Sequence, residues 1–216
     1  MAIKIDKYSR PEDMEYTPIL ETDRDKVKFI KRVENIVRGS LEYRDYIGFL
    51  KDHVNMKHCA FFTNMENSTG NRVRIEIHHE PLTLFDIVQT VINRHLEECI
   101  PINDLLIADE VIELHYRNMV GLIPLSKSIH QIVHHGTDLV IPLTIVYGEY
   151  KKFLDEYSEY IDDAVIDKLE RKIDETKAIN AEKIANTLEP TYVYVEVDGF
   201  SLPQKVEITR DFTMTA

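Results

Sequence analysis

Apolar positions first recur at helical spacing after Leu20. Thr22 is placed to cap a helix, with Asp25 at the capping-box offset; Val27, Ile30, Val33 and Val37 share one face, and Gly39 offers a stop. Ahead of it, Pro11, Pro18 and scattered charges predict an extended arm. Ser40 can cap a second helix with Leu41, Tyr46, Ile47, Leu50 and Val54 inward and Tyr43, Arg44, Asp45 and Lys51 more exposed, so the pair predicts a helical hairpin. The period then shifts to two. Residues Ala60 to Met65 and Arg72 to His78 are β-rich and flank the turn-forming run Glu66 to Asn71, which predicts a β-hairpin. In its second strand Val73, Ile75 and Ile77 alternate with Arg72, Arg74, Glu76 and His78.

Pro81 ends that strand, and helices are expected over Leu84 to Glu98 and Asp104 to Tyr116, separated by Pro101. The short apolar segment Leu122 to Leu125 leads into a helix over Ser126 to His135, where Gly136 stops it and His135 reads as a C-terminal cap. Pro142 precedes a long charged helix, Tyr147 to Leu188, with a break near Ala164. Thr191 to Val197 and Lys205 to Thr209 flank Asp198-Gly199, a signal for a closing hairpin. The chain therefore reads as α+β in three parts: 1–58, an arm and helical hairpin; 59–146, a mixed core with a large helical insertion; and 147–216, a charged helix and terminal β-hairpin.

With 216 residues, 44% of them hydrophobic, the chain can bury a sizeable core. The polar segment Met1 to Arg10 lacks the apolar stretch of a secretory signal, and there is no apolar run of the roughly eighteen residues a membrane span needs; a soluble, cytoplasmic protein with no membrane partner is expected. Cys59 and Cys99 show no C-x-x-C spacing and are expected to be free, buried thiols. A net charge of -12 counts against a protein that coats nucleic acid. The charge is uneven: Arg24 to Arg44 holds seven basic and three acidic residues, whereas Glu149 to Glu175 holds ten acidic and five basic. Lys28, Lys31, Arg32 and Arg38 are thus candidate nucleic-acid contacts, with a solvated helix face as the plainer reading, and the acidic C-terminal helix is a candidate surface for a protein partner.

Histidine carries the chemistry. His130 and His134 are four apart in a helical segment, so their rings share one face and can hold a single ion; adjacent His78 and His79 close a strand, where one ring can join that ion while the other points elsewhere. Such a set suits zinc or another transition ion, and added carboxylate or water ligands would adapt it to Mg²⁺. A hydrogen-bonded polar edge of the core is the competing account.

The order of a strand ending in His-His, a short apolar strand, and a helix with His-x-x-x-His resembles the HNH, or ββα-metal, endonucleases, many of them phage-encoded. Glu76-Ile77-His78-His79 is similar to the colicin-type DNase branch, and Gly121 to His130 fits the segment Asn-Leu-x-x-Leu-x-x-x-x-His. The resemblance spans Arg72 to Gly136 and implies a ββα-metal core around the insertion, in a protein that hydrolyses phosphodiester bonds in DNA in a bacterial host cell. It implies His79 as the general base and His78, His130 and His134 as ligands of a divalent ion, with Glu76 behind them. Two departures are visible. Gly121 stands where the family has Asn or His, so Asn118 or His115 is expected to substitute, and Pro81 lies close enough to His79 that His78 and His79 can exchange roles. Two alternatives stay open: a catalytically inactive metal-stabilised structural or interaction protein, and an acidic inhibitor that binds a basic protein.

Overall fold

The computed structural model describes residues 20, 22–62, 73–134, 139–183, 192–197 and 200–205. Among them the chain is α+β and mostly helical, with small two-stranded antiparallel sheets. The order is α1 (Asp23–Gly39), α2 (Leu41–Asp52), β1 (Ile75–His79), α3 (Leu84–Glu97), α4 (Asp104–Tyr116), β2 (Leu122–Ser126), α5 (Lys127–His134), α6 (Tyr150–Glu156), α7 (Asp163–Lys183), β3 (Tyr192–Val197) and β4 (Phe200–Lys205). Two compact units result, one of Met1–Tyr46, Leu82–Gly121 and Gly148–Leu169, the other of Ile47–Pro81, Leu122–Tyr147 and Glu170–Ala216.

The first unit is a helical assembly in which α1 packs on α3 and α4. Its helices start where the sequence supplies acceptors for orphan N–H groups. Thr22 accepts from the Asp25 N–H, Thr83 and Asp86 form a reciprocal capping box, and Asn103 accepts from Leu105 and Leu106. Phe29, Ile30, Val33 and Val37 are buried, while Val27, expected inside, lies at the margin of that stripe and is 38% exposed. Leu41 and Tyr43 likewise exchange their expected places, at 66% and 7% exposure. The cause is His115 of α4, whose ring takes Tyr43 and Tyr46 edge-on at centroid separations of 5.2 and 5.6 Å.

A charged network ties α3, α4 and α6 together. Glu110 accepts from the Tyr157 hydroxyl at 2.9 Å and from Arg94 at 3.2 Å, and His95 Nε2 lies 2.7 Å from its other oxygen. Since His95 Nδ1 also faces the Pro101 carbonyl, at 2.9 Å, both ring nitrogens act as donors and the ring is an imidazolium. Burial opposes that charge, but the Glu110 and Pro101 contacts outweigh it and raise the His95 pKa. Burial likewise works against the Glu110 carboxylate, and hydrogen bonds from His95 and Tyr157 hold its pKa below the ordinary value.

Gly148 sits at φ +101°, and a Cβ there would fall 2.1 Å from the Val120 carbonyl oxygen. Gly148→Ala is therefore expected to lower stability by at least about 2 kcal/mol, read as a reduced midpoint in urea unfolding. A wild-type midpoint would show that this close approach is not maintained in solution.

The expected helix over Tyr147 to Leu188, broken near Ala164, is found as α6 and α7, with the break at Tyr157–Asp162. Phe153 and Tyr157 stack at 4.6 Å, closing α6, and the Asp162 carbonyl accepts from Val165 and Ile166 to open α7. Residues 184–188 lie outside the described residues. Cys59 is buried as expected, but Cys99 is exposed, because it follows the end of α3 at φ +55°.

In the second unit β1 pairs antiparallel with β2, from Ile75 opposite Ser126 to His79 opposite Leu122. The expected partner of β1 was the segment Ala60 to Met65. Of that segment residues 60–62 are not strand and 63–65 lie outside the described residues, although the Ala60 N–H does bond the Pro124 carbonyl. β2 is buried along its length, its apolar run Leu122 to Leu125 closed by a buried Ser126. α5 follows β2 directly, with the Lys127 N–H on the Arg74 carbonyl, and packs on both strands. The second half of α7 brings Thr176, whose hydroxyl accepts from the Leu143 N–H. β3 and β4 pair with Val197 opposite Phe200. A connection of two residues obliges the return strand to begin at Phe200, earlier than the expected Lys205. The arm before Leu20, the turns at 66–71 and 198–199, His135, Gly136 and residues 206–209 lie outside the described residues.

Candidate metal centre

The geometry begins with the pleat of β1. Alternation sets Glu76 and His78 on one face, and α5 packs against that strand with His130 and His134 one turn apart. His78, His130 and His134 each offer a ring nitrogen within 4.8 Å of the others. Ring centroids are 5.0 Å apart for His78 and His130, 5.2 Å for His78 and His134, and 4.5 Å for His130 and His134. His130 donates Nδ1–H to Glu76 at 2.6 Å, which fixes its tautomer and leaves Nε2 as the ligating atom; that atom stands 2.9 Å from His134 Nε2. Three ring nitrogens this close together, with a carboxylate behind one of them, fit a borderline transition ion such as zinc.

Of the adjacent pair it is His78 that joins the cluster. His79, the last residue of β1, is only 5% exposed, and strand alternation directs it away from His78. Behind His78 lies Glu80, a residue the sequence reading passed over. It is 2% exposed, with Oε2 at 3.4 Å from His78 Nε2, and its other oxygen takes the Lys172 ammonium from α7. Burial alone would raise the Glu80 pKa; hydrogen bonds from His78 and Lys172 reverse that and hold it down, so the group is a carboxylate. The available signal was an acidic residue directly after two histidines. Lys172, 92 residues away, gave none.

The two expected substitutes for the missing middle residue belong to the other unit. His115 is fully buried in α4 and donates Nδ1–H to the Val111 carbonyl at 2.6 Å. Asn118 ends its helix at φ +58° and its carbonyl accepts from Glu149 at 2.7 Å. Among the basic candidates on α1, Arg32 pairs with Asp104 at 2.9 Å, Lys28 with Asp25 at 3.7 Å and Arg38 with Glu34 at 3.9 Å, while Lys31 is exposed. Much of that local positive charge is already countered by carboxylates.

Fold and centre together define an α+β protein with a three-histidine constellation between a strand and a helix. By its sequence the chain belongs to the family of bacteriophage G278-like virion proteins, which matches residues 1–197. It is a phage protein, as expected. No curated protein and no solved structure matches it. Among the described residues no helix is long and apolar enough to cross a membrane.

Proposed function

We propose that this virion-family protein carries a metal-dependent phosphodiesterase site of the HNH type, with β1, β2 and α5 as a ββα-metal core acting on DNA. The observation that carries this reading is the convergence of His78, His130 and His134, with Glu76 fixing the tautomer of His130. A divalent ion held by these three rings would supply Lewis-acid stabilisation of charge on the phosphate and the leaving oxygen. His79, next to the ligand His78, would take the proton of the attacking water. Lys28, Lys31, Arg32 and Arg38 would contact phosphates only by giving up the carboxylate pairs that three of them now make.

Incubating the purified chain with supercoiled plasmid and Mg²⁺, Mn²⁺, Ni²⁺ or Zn²⁺ tests the reading. Nicking in at least one metal, together with about one bound ion per chain, is expected. Bound metal without cleavage of any DNA would leave a second reading, in which the ion staples a structural virion component. That second reading is favoured by Gly121 and by the bond that commits His115 Nδ1 to the Val111 carbonyl.

A further inference from the structure

Glu80 and Lys172 make an unusual arrangement for a protein interior. A carboxylate exposed to only 2% sits beside a histidine ring, and its charge is met by one ammonium from a helix far along the chain. Lys172 meets one Glu80 oxygen while the other lies 3.4 Å from His78 Nε2, so the buried carboxylate links α7 to the ring. From there Glu80 braces the Nε2 edge of His78, as Glu76, at 2.6 Å, holds Nδ1 of His130. Two of the three converging rings would then be oriented by carboxylates, one of them dependent on α7.

We propose that Lys172 and Glu80 are a positioning pair for the metal centre, through which the second half of α7 sets the affinity of the three-histidine site for its ion. The inference rests on the metal-holding part of the proposed function and is independent of hydrolysis. Lys172 acts through Glu80, and Glu80 through His78.

The test measures Zn²⁺ affinity of the full chain by competition with a chromophoric chelator, and the visible spectrum of the Co²⁺ form, for wild type, Lys172→Met, Lys172→Arg and Glu80→Gln. Lys172→Met and Glu80→Gln are expected to weaken zinc binding by about 10- to 100-fold and to alter the cobalt bands, while Lys172→Arg, which keeps the charge, recovers most of the loss. Wild-type affinity and spectrum in both Lys172→Met and Glu80→Gln would overturn the proposal. Should Lys172→Met lose its circular dichroism, the near-isosteric Glu80→Gln decides. Plasmid nicking measured in parallel separates the two readings. A wild type that binds zinc but cuts nothing sinks the hydrolase and leaves this pair intact, whereas a cutting enzyme whose variants bind zinc normally sinks this pair alone. A wild type that takes up neither metal overturns this pair, and if it also nicks plasmid with none of the four ions the hydrolase falls with it.

Discussion

His79→Ala is expected to lower phosphodiester cleavage by about 10²- to 10⁴-fold while the chain still holds its ion, because removing a general base leaves the ligand set untouched. His130→Ala is expected to lose cleavage and metal together. The contrast follows from β1: His78 and His79 are neighbours in sequence, yet only His78 shares the cluster with His130 and His134. His78→Ala should therefore behave like His130→Ala. Rates on plasmid or on an activated phosphodiester, paired with metal content by atomic emission, distinguish the three variants. A His79→Ala chain that cuts at the wild-type rate would remove the assigned base, and a His78→Ala chain that keeps its ion would undo the ligand set.

Local signals in the sequence translated well into structure. Thr22 with Asp25 placed the start of α1, and the His-x-x-x-His spacing placed two rings on one face of α5, because both depend on contacts within one turn. Pairing between distant segments was harder to read. The β1 strand has an adjacent β-rich segment with a turn between, which argued for a hairpin, but its partner is β2, across the α3 and α4 insertion. Alternation says which face of a strand is buried and not which strand lies beside it. The same limit hid the charged contacts. Glu110 with His95, and Glu80 with Lys172, join residues on separate elements, and nothing local marks a surface-type residue for burial. Leu41 and Tyr43 changed places for a related reason, since the inward face of α2 is set by His115, a buried polar residue on a distant helix.

That buried histidine yields the second large effect. Desolvation, only partly offset by the bond to the Val111 carbonyl, lowers the His115 pKa to about 4. An unfolded chain takes up this proton near pH 6.5, as histidine ordinarily does. Above that pH the ring is neutral in both states and costs nothing. As the pH falls from about 6.5 to about 4, the unfolded state gains a proton that the folded state refuses, and stability is lost at about 1.4 kcal/mol per pH unit, about 3 kcal/mol in all. Glu34, raised by its burial, works the opposite way, adding stability as the pH falls toward the ordinary carboxylate range, and does so in wild type and variant alike. His95, raised by Glu110 and Pro101 against its burial, contributes stability that disappears as the pH climbs past its folded-state value. Glu110, held low, contributes stability that disappears only as the pH drops below the ordinary carboxylate range. Between pH 6.5 and 5 the difference in slope between wild type and a variant lacking this ring should thus belong to His115. Urea unfolding of wild type and His115→Phe, followed by circular dichroism across that interval, is expected to show a declining wild type and a flatter variant, since phenylalanine keeps an aromatic ring between Tyr43 and Tyr46 and has no proton to gain. Parallel curves for the two proteins would mean that His115 is not held neutral in the folded chain.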